Sequence, residues 1–123
     1  MPDALFVYGS LRSEFDNAYV RKLRGEADLI GPATVRGSIF RIAEYPGYKR
    51  EPDGVVHGEV WLLRNPERTL AALDAYEGAE YSRVLIDASP EGGEYPPAVA
   101  WIYLFDGNVR ADQRIVSGDF LVP

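Results

Sequence analysis

Apolar and polar positions alternate along much of the chain, with the period of two that is typical of β-strands. The longest alternating stretch covers residues 33–42, where Gly37 indicates a bulge or a close backbone contact. In chain order, the pattern predicts strands at residues 5–8, 33–42, 55–63, 81–88 and 98–105. The last two are separated by a Gly-rich turn, so we expect them to pair as antiparallel neighbours.

Two segments have the helical period instead. The pattern over residues 14–24 predicts a first helix, with Gly25 as its terminator. Residues 66–77 predict a second helix, since Asn65 suits its N-cap, Pro66 its first position and Gly78 the position after its end.

The two helices and the strands follow one another in the order β-α-β-β-α-β-β. Turns are predicted at residues 45–48 and 51–54, where proline and glycine are adjacent or nearly so. This order predicts an α+β fold, in which a small, curled, mixed sheet or β-barrel carries two flanking helices. A chain of 123 residues without linkers or repeats predicts a single domain over residues 1–123.

Glu77 is the most informative charged residue. At about 100° per residue it lies seven and four positions after Leu70 and Leu73, which share the apolar face of the second helix with Tyr76. Burial and the negative end of the helix dipole both disfavour a carboxylate there, so we expect a raised pKa. A raised pKa suits a group that shuttles protons. Asp74, near the edge of the same face, is the competing carboxylate, and a frayed helix end would leave Glu77 in solvent.

Composition narrows the remaining chemistry. The chain has no cysteine and one histidine, His57, which excludes thiol nucleophiles and multi-histidine metal sites. It has 13 basic and 19 acidic residues, and the net charge of −6 argues against nucleic acid and anionic membranes as partners. No apolar run reaches the length of a membrane span and no signal peptide precedes the first strand, so we expect a cytoplasmic protein.

The loop from Tyr8 to Leu11 is the second candidate site. A buried strand that ends in Gly9-Ser10 turns sharply and leaves successive N–H groups available to an anion, although a plain strand-to-helix turn has the same sequence. A nucleophilic role for Ser10 would require His57 as its base, and no motif around either residue supports that pairing.

These motifs together resemble the γ-glutamylcyclotransferase-like family. The resemblance follows the chain in order through residues 5–12, 45–47, 56–60, 73–78, 81–83 and 117–120. It implies a small curled barrel in which the loop of Gly9, Ser10 and Leu11 meets the carboxylate of Glu77. It further implies a small-molecule γ-glutamyl substrate, which cyclises to 5-oxoproline with Glu77 as the general acid/base, without a metal or cofactor. Tyr8, Arg83 and Tyr103 are candidate walls of the pocket.

Two alternatives to an enzyme remain at this point. The same fold serves as a non-catalytic module that binds a small carboxylated ligand, or as a purely structural domain. The structural alternative predicts that Glu77 lies in bulk solvent with no pocket beside it.

Overall fold

A computed structural model describes residues 2–93 and 95–122. Within them lie seven strands and two helices, besides two short 3-10 turns. In chain order the elements are β1 (Ala4–Val7), α1 (Ala18–Glu26), β2 (Ala27–Arg36), β3 (Ser38–Arg41), β4 (Pro46–Lys49), β5 (Val55–Leu63), α2 (Pro66–Glu77), β6 (Tyr81–Pro90) and β7 (Ala98–Phe105). Neither helix is long and apolar enough to cross a membrane.

Five of the strands form a closed barrel in the order β1-β5-β2-β6-β7, and β7 returns to β1 to complete the ring. The closing contact is parallel and joins Leu5 to Trp101, whereas the other four barrel pairings are antiparallel. The hairpin of β3 and β4 extends the sheet beyond β7, through a parallel contact between Tyr48 and Leu104. The predicted α+β fold with a curled, mixed sheet and two flanking helices is therefore confirmed.

The barrel requires a close approach between β1 and β5. A Cβ atom on Gly58 would lie 2.1 Å from the carbonyl oxygen of Val7 and 2.6 Å from the Phe6 ring. Only glycine fits there, because such distances are far below van der Waals contact. Gly58 thus permits the strand that carries the candidate loop to pack directly against the barrel wall.

Two apolar clusters stabilise this arrangement. One fills the barrel and includes the fully buried Tyr48, while the other lies between the barrel and the helices and includes Leu70 and Leu73. Each fully buried leucine side chain contributes roughly 1.5–3 kcal/mol relative to exposure. The second cluster holds α2 against β1 and so determines where its C-terminal end lies.

Three sequence-based boundaries were wrong. The predicted strand 33–42 is two strands, because Gly37 adopts a φ of 142°, and β2 begins earlier, at Ala27. The predicted turn 45–48 contains β4, whose residues pair with β3. The first helix begins at Ala18 and not at residue 14, since the Asn17 side chain caps it by accepting from the N–H groups of Tyr19 and Val20 at 3.0 Å each; it continues through Gly25 to Glu26.

Candidate functional site

A cavity of about 310 Å³ opens beside the C-terminal end of α2. That volume lies at the small end of the range usual for small-molecule sites. The lining residues come from β1 and the loop after it, from β4 and β7, and from the end of α2 with the segment that follows. They are Phe6, Val7, Tyr8, Gly9, Ser10, Leu11, Tyr45, Pro46, Tyr76, Glu77, Glu80, Tyr81 and Tyr103.

Glu77 is the last residue of α2 and lines this cavity. The helix begins at the cap that Asn65 provides by accepting from the Arg68 N–H at 3.3 Å. Leu70 and Leu73 anchor the inner face, and Glu77 follows them on that face at the spacing of one and two turns. The expectation that a purely structural domain would leave this carboxylate in bulk solvent is therefore not met.

Burial raises the pKa of Glu77 from 4.5 to about 7. The cause is desolvation, which disfavours the charged carboxylate, as the sequence predicted. A carboxyl group with a pKa near neutrality both accepts and donates a proton readily at physiological pH.

The loop after β1 forms another wall of the cavity. Among the described residues, the backbone N–H groups of Gly9, Ser10 and Leu11 have no hydrogen-bond partner. The next two are satisfied, since Arg12 N–H donates to the Gly9 carbonyl at 3.0 Å and Ser13 N–H to Glu59 Oε1 at 2.6 Å. Three successive unpaired N–H groups are the composition of an anion-binding backbone site.

Two buried charged side chains hold this loop in place. Glu59 of β5, only 5% exposed, accepts from both the N–H and the hydroxyl of Ser13. Arg12, 7% exposed, donates to Asp119 Oδ1 at 2.8 Å and to Glu14. Hydrogen bonds to ionised groups are the stronger ones, so the loop is fixed at both the barrel and the C-terminal segment.

Tyr8 and Tyr103 line the cavity, as predicted, but their hydroxyl groups are already engaged. Tyr8 donates to the Tyr103 carbonyl at 2.6 Å and accepts from the Tyr48 N–H at 3.1 Å. Tyr103 donates to Asp74 Oδ1 at 2.8 Å. Burial above all raises the pKa of both phenols, so they stay neutral, and we expect them to shape the cavity with their rings.

Asp74 and Arg83 form a separate pair that does not line the cavity. Arg83 donates to the two carboxylate oxygens of Asp74 at 2.8 and 3.1 Å, and its guanidinium lies 4.3 Å from the centre of the Trp101 ring. Burial alone would raise the pKa of Asp74, but the bonds from Arg83 and Tyr103 lower it. The assignment of Arg83 as a pocket wall is therefore corrected, because Asp74 holds its charge, and Asp74 does not compete with Glu77.

Ser10 and His57 are not brought together. The Ser10 hydroxyl shares a hydrogen bond of 3.1 Å with the Tyr76 hydroxyl. His57 lies on β5 outside the cavity lining, where its Nδ1 is 3.7 Å from Glu91 Oε1. A serine nucleophile activated by this histidine has no support in the geometry.

Several cavity residues were missed by the sequence reasoning. Tyr45, Pro46 and Glu80 line the cavity, although the first two were assigned only to a turn. Tyr81 also lines it and is fixed by donating its hydroxyl to the Pro46 carbonyl at 2.8 Å. The signal that would have found them is the pairing of β4 with β7, and that contact is not visible in the local pattern.

The fold and the cavity together define a class: a small barrel protein whose pocket combines one carboxyl group of raised pKa with an amide-lined loop. Residues 5–122 match the family described as "Gamma-glutamyl cyclotransferase, AIG2-like". The chain belongs to this γ-glutamylcyclotransferase-like family.

Relatives at two levels of similarity agree with this assignment. The chain is 36% identical over 120 residues to the "Gamma-glutamylcyclotransferase family protein YtfP" of Escherichia coli K12, and the match covers 95% of each. The solution structure of ytfP from Escherichia coli has a TM-score of 0.66 at 34% identity and covers 96% of both chains. The crystal structure of YkqA from Bacillus subtilis has a TM-score of 0.74 at 25% identity; the match covers 97% of this chain but 39% of that one.

Proposed function

We propose that this protein is a γ-glutamyl cyclotransferase that releases 5-oxoproline from a γ-glutamyl amine or peptide, with Glu77 as the general acid/base. The observation that carries the proposal is the position of Glu77, a partly buried carboxyl group in a cavity whose other wall is a loop with free N–H groups. Membership of the family supports the reaction class.

The loop and the carboxyl group have complementary tasks. The N–H groups of Gly9, Ser10 and Leu11 receive negative oxygen, either the α-carboxylate of the substrate or the oxyanion that develops at its γ-carbonyl. Glu77 lies at the opposite charge balance, where a proton has to be accepted and returned. The rings of Tyr8 and Tyr103 restrict the glutamyl chain to a folded rotamer between them.

The reaction balances without water or a co-reactant. The neutral α-amine attacks the γ-carbonyl carbon, which forms the C–N bond of a five-membered ring, and Glu77 accepts the proton that this nitrogen loses. The tetrahedral intermediate then expels the original amide nitrogen as its C–N bond breaks, and Glu77 donates the same proton to it. The products are 5-oxoproline and a free amine.

The protein has little entropy to overcome in this reaction, because nucleophile and electrophile belong to one molecule. Its main contribution is the proton transfer, which typically accounts for about 10²–10⁴-fold in rate. A pKa of about 7 suits both directions, since the carboxylate is present to accept the proton and the acid is strong enough to return it.

The proposal treats residues 1–123 as one domain that acts in the cytoplasm on a small molecule. The net charge of −6 is in keeping with a small-molecule role, since it disfavours polyanionic partners.

A substrate panel tests the proposal. The protein is incubated with γ-glutamyl amines and γ-glutamyl amino acids, and 5-oxoproline and the freed amine are quantified by chromatography with mass detection. We expect both products in equal amounts from at least one class. Binding without turnover across the panel would instead support the non-catalytic alternative.

A further inference from the structure

The mouth of the cavity carries two residues that the proposed chemistry does not use. Tyr45, 40% exposed, and Glu80, also exposed, both line the cavity. The Tyr45 hydroxyl donates to Glu80 Oε2 at 3.3 Å. In the part of the chain that the structure describes, Glu80 forms no ion pair, so its charge faces the opening uncompensated.

The charge of the cavity is one-sided. Its lining, drawn from residues 2–93 and 95–122, includes two carboxyl groups, Glu77 and Glu80, and no lysine, arginine or histidine. Two nearby cations are held elsewhere: Arg83 by Asp74, and Lys49 against the Phe105 ring at 5.5 Å. An anionic group at the mouth would meet Glu80 without a counter-charge.

Aromatic rings add to this preference. Tyr45, Tyr76 and Tyr81 line the cavity, and the rings of Tyr45 and Tyr81 are 6.5 Å apart at a tilt of 56°. The face of an aromatic ring is electrostatically negative and attracts a cation placed within about 6 Å of its centre. A carboxylate beside such rings is the usual composition of a site for an alkylammonium group.

We infer that the mouth formed by Tyr45 and Glu80 selects γ-glutamyl substrates whose leaving amine carries a second, positively charged amino group. This inference rests on the proposed function. The glutamyl part of the substrate occupies the loop and Glu77, so the leaving group extends to the exposed end of the cavity, where Glu80 lies three residues beyond Glu77. There the distal ammonium meets the Glu80 carboxylate and the Tyr45 ring.

Three amides of matched length test this selectivity. They are the γ-glutamyl amides of 1,4-diaminobutane (cationic), pentylamine (neutral) and 5-aminopentanoate (anionic). We expect kcat/KM for 5-oxoproline release to be about fivefold higher for the cationic than for the neutral amide, as for a partly exposed ion pair, and lowest for the anionic amide. The ratio should fall as ionic strength rises, because salt screens exposed charges.

Glu80→Gln is the decisive variant, and Glu67→Gln is its matched control. Glu67 is an exposed carboxylate near the first turn of the same helix, about 15 Å from Glu77 along its axis. Glu80→Gln should bring the ratio of cationic to neutral kcat/KM close to one, whereas Glu67→Gln should preserve it. An unchanged ratio in Glu80→Gln would overturn the role of Glu80.

The outcomes separate the inference from the reaction on which it rests. Equal turnover of all three amides overturns the inference and leaves the cyclotransferase proposal intact. If none is turned over, calorimetric binding of the same amides to the wild-type protein decides. Tightest binding of the cationic amide upholds the charge selection while the reaction fails; equal or absent binding overturns both.

Discussion

The burial of Glu77 has a thermodynamic consequence that is measurable without any substrate. Its pKa is about 7 in the folded protein, against 4.5 as an ordinary glutamate. Between these values the folded state binds more protons than the unfolded state, so stability falls as pH rises and is lowest once the carboxylate is fully charged. The shift of about 2.5 units corresponds to roughly 3 kcal/mol of unfolding free energy.

Replacing Glu77 by glutamine removes this penalty and nothing else that titrates. We therefore expect the difference in unfolding free energy, Glu77→Gln minus wild type, to increase with pH. Working above the isoelectric point of 4.7 keeps the protein soluble. Between pH 5.5 and 8.5 the difference should grow by about 2 kcal/mol and then level off, since part of the transition lies below pH 5.5.

Urea denaturation followed by the fluorescence of Trp61 and Trp101 provides the measurement, at matched ionic strength across the pH series. The difference between variant and wild type cancels the titration of every other group. Glu67→Gln, carried in parallel, shows what the loss of an exposed carboxylate does. A Glu77→Gln difference that stays constant within about 0.5 kcal/mol from pH 5.5 to 8.5 would refute the reasoning, because the carboxylate would then be as well solvated in the folded as in the unfolded state.

Three further predictions follow from the site and the barrel. As Glu77 must be ionised to accept the first proton, kcat/KM should rise with pH up to about 7 and then level off until the substrate amine titrates; a profile that falls through pH 7 would contradict this. Ser10→Ala should retain turnover within about tenfold, because a serine that is no nucleophile loses only its bond to Tyr76; a loss comparable with that of a catalytic residue would restore the covalent mechanism. Gly58→Ala should destabilise the fold by about 2 kcal/mol or more, seen as a lower urea midpoint, since the new methyl group meets the Val7 carbonyl; an unchanged midpoint would show that the barrel yields there.

The elements that the sequence predicted well are those with strong local signals. β5 and β7 have the predicted bounds because apolar residues alternate along them without interruption. α2 also has its predicted bounds, since Asn65, Pro66 and Gly78 mark its ends and Leu70 and Leu73 its inner face. Glu77 was found from the same helix, as its position on the face needs no tertiary information.

The elements that were missed depend on partners far along the chain. β4 contains Pro46 and Gly47, which locally favour a turn, yet Gly47 lies so close to β7 that a Cβ there would be 2.7 Å from the Phe105 side chain. Only the packed sheet makes this segment a strand. Glu80 and Tyr45 were missed for the same reason, because the β4 contact brings Tyr45 to the cavity. Arg83 was misplaced because its ion pair with Asp74 joins a strand to a helix.

The central claim is that Glu77 transfers the proton between the two amines of a γ-glutamyl substrate. The most direct test is single-turnover release of 5-oxoproline by Glu77→Gln and wild type on the best amide of the panel, with substrate binding measured alongside. The account predicts a loss of about 10²–10⁴-fold in the rate of the chemical step while the dissociation constant changes only a few-fold. A Glu77→Gln variant that releases 5-oxoproline within a few-fold of the wild-type rate would contradict it.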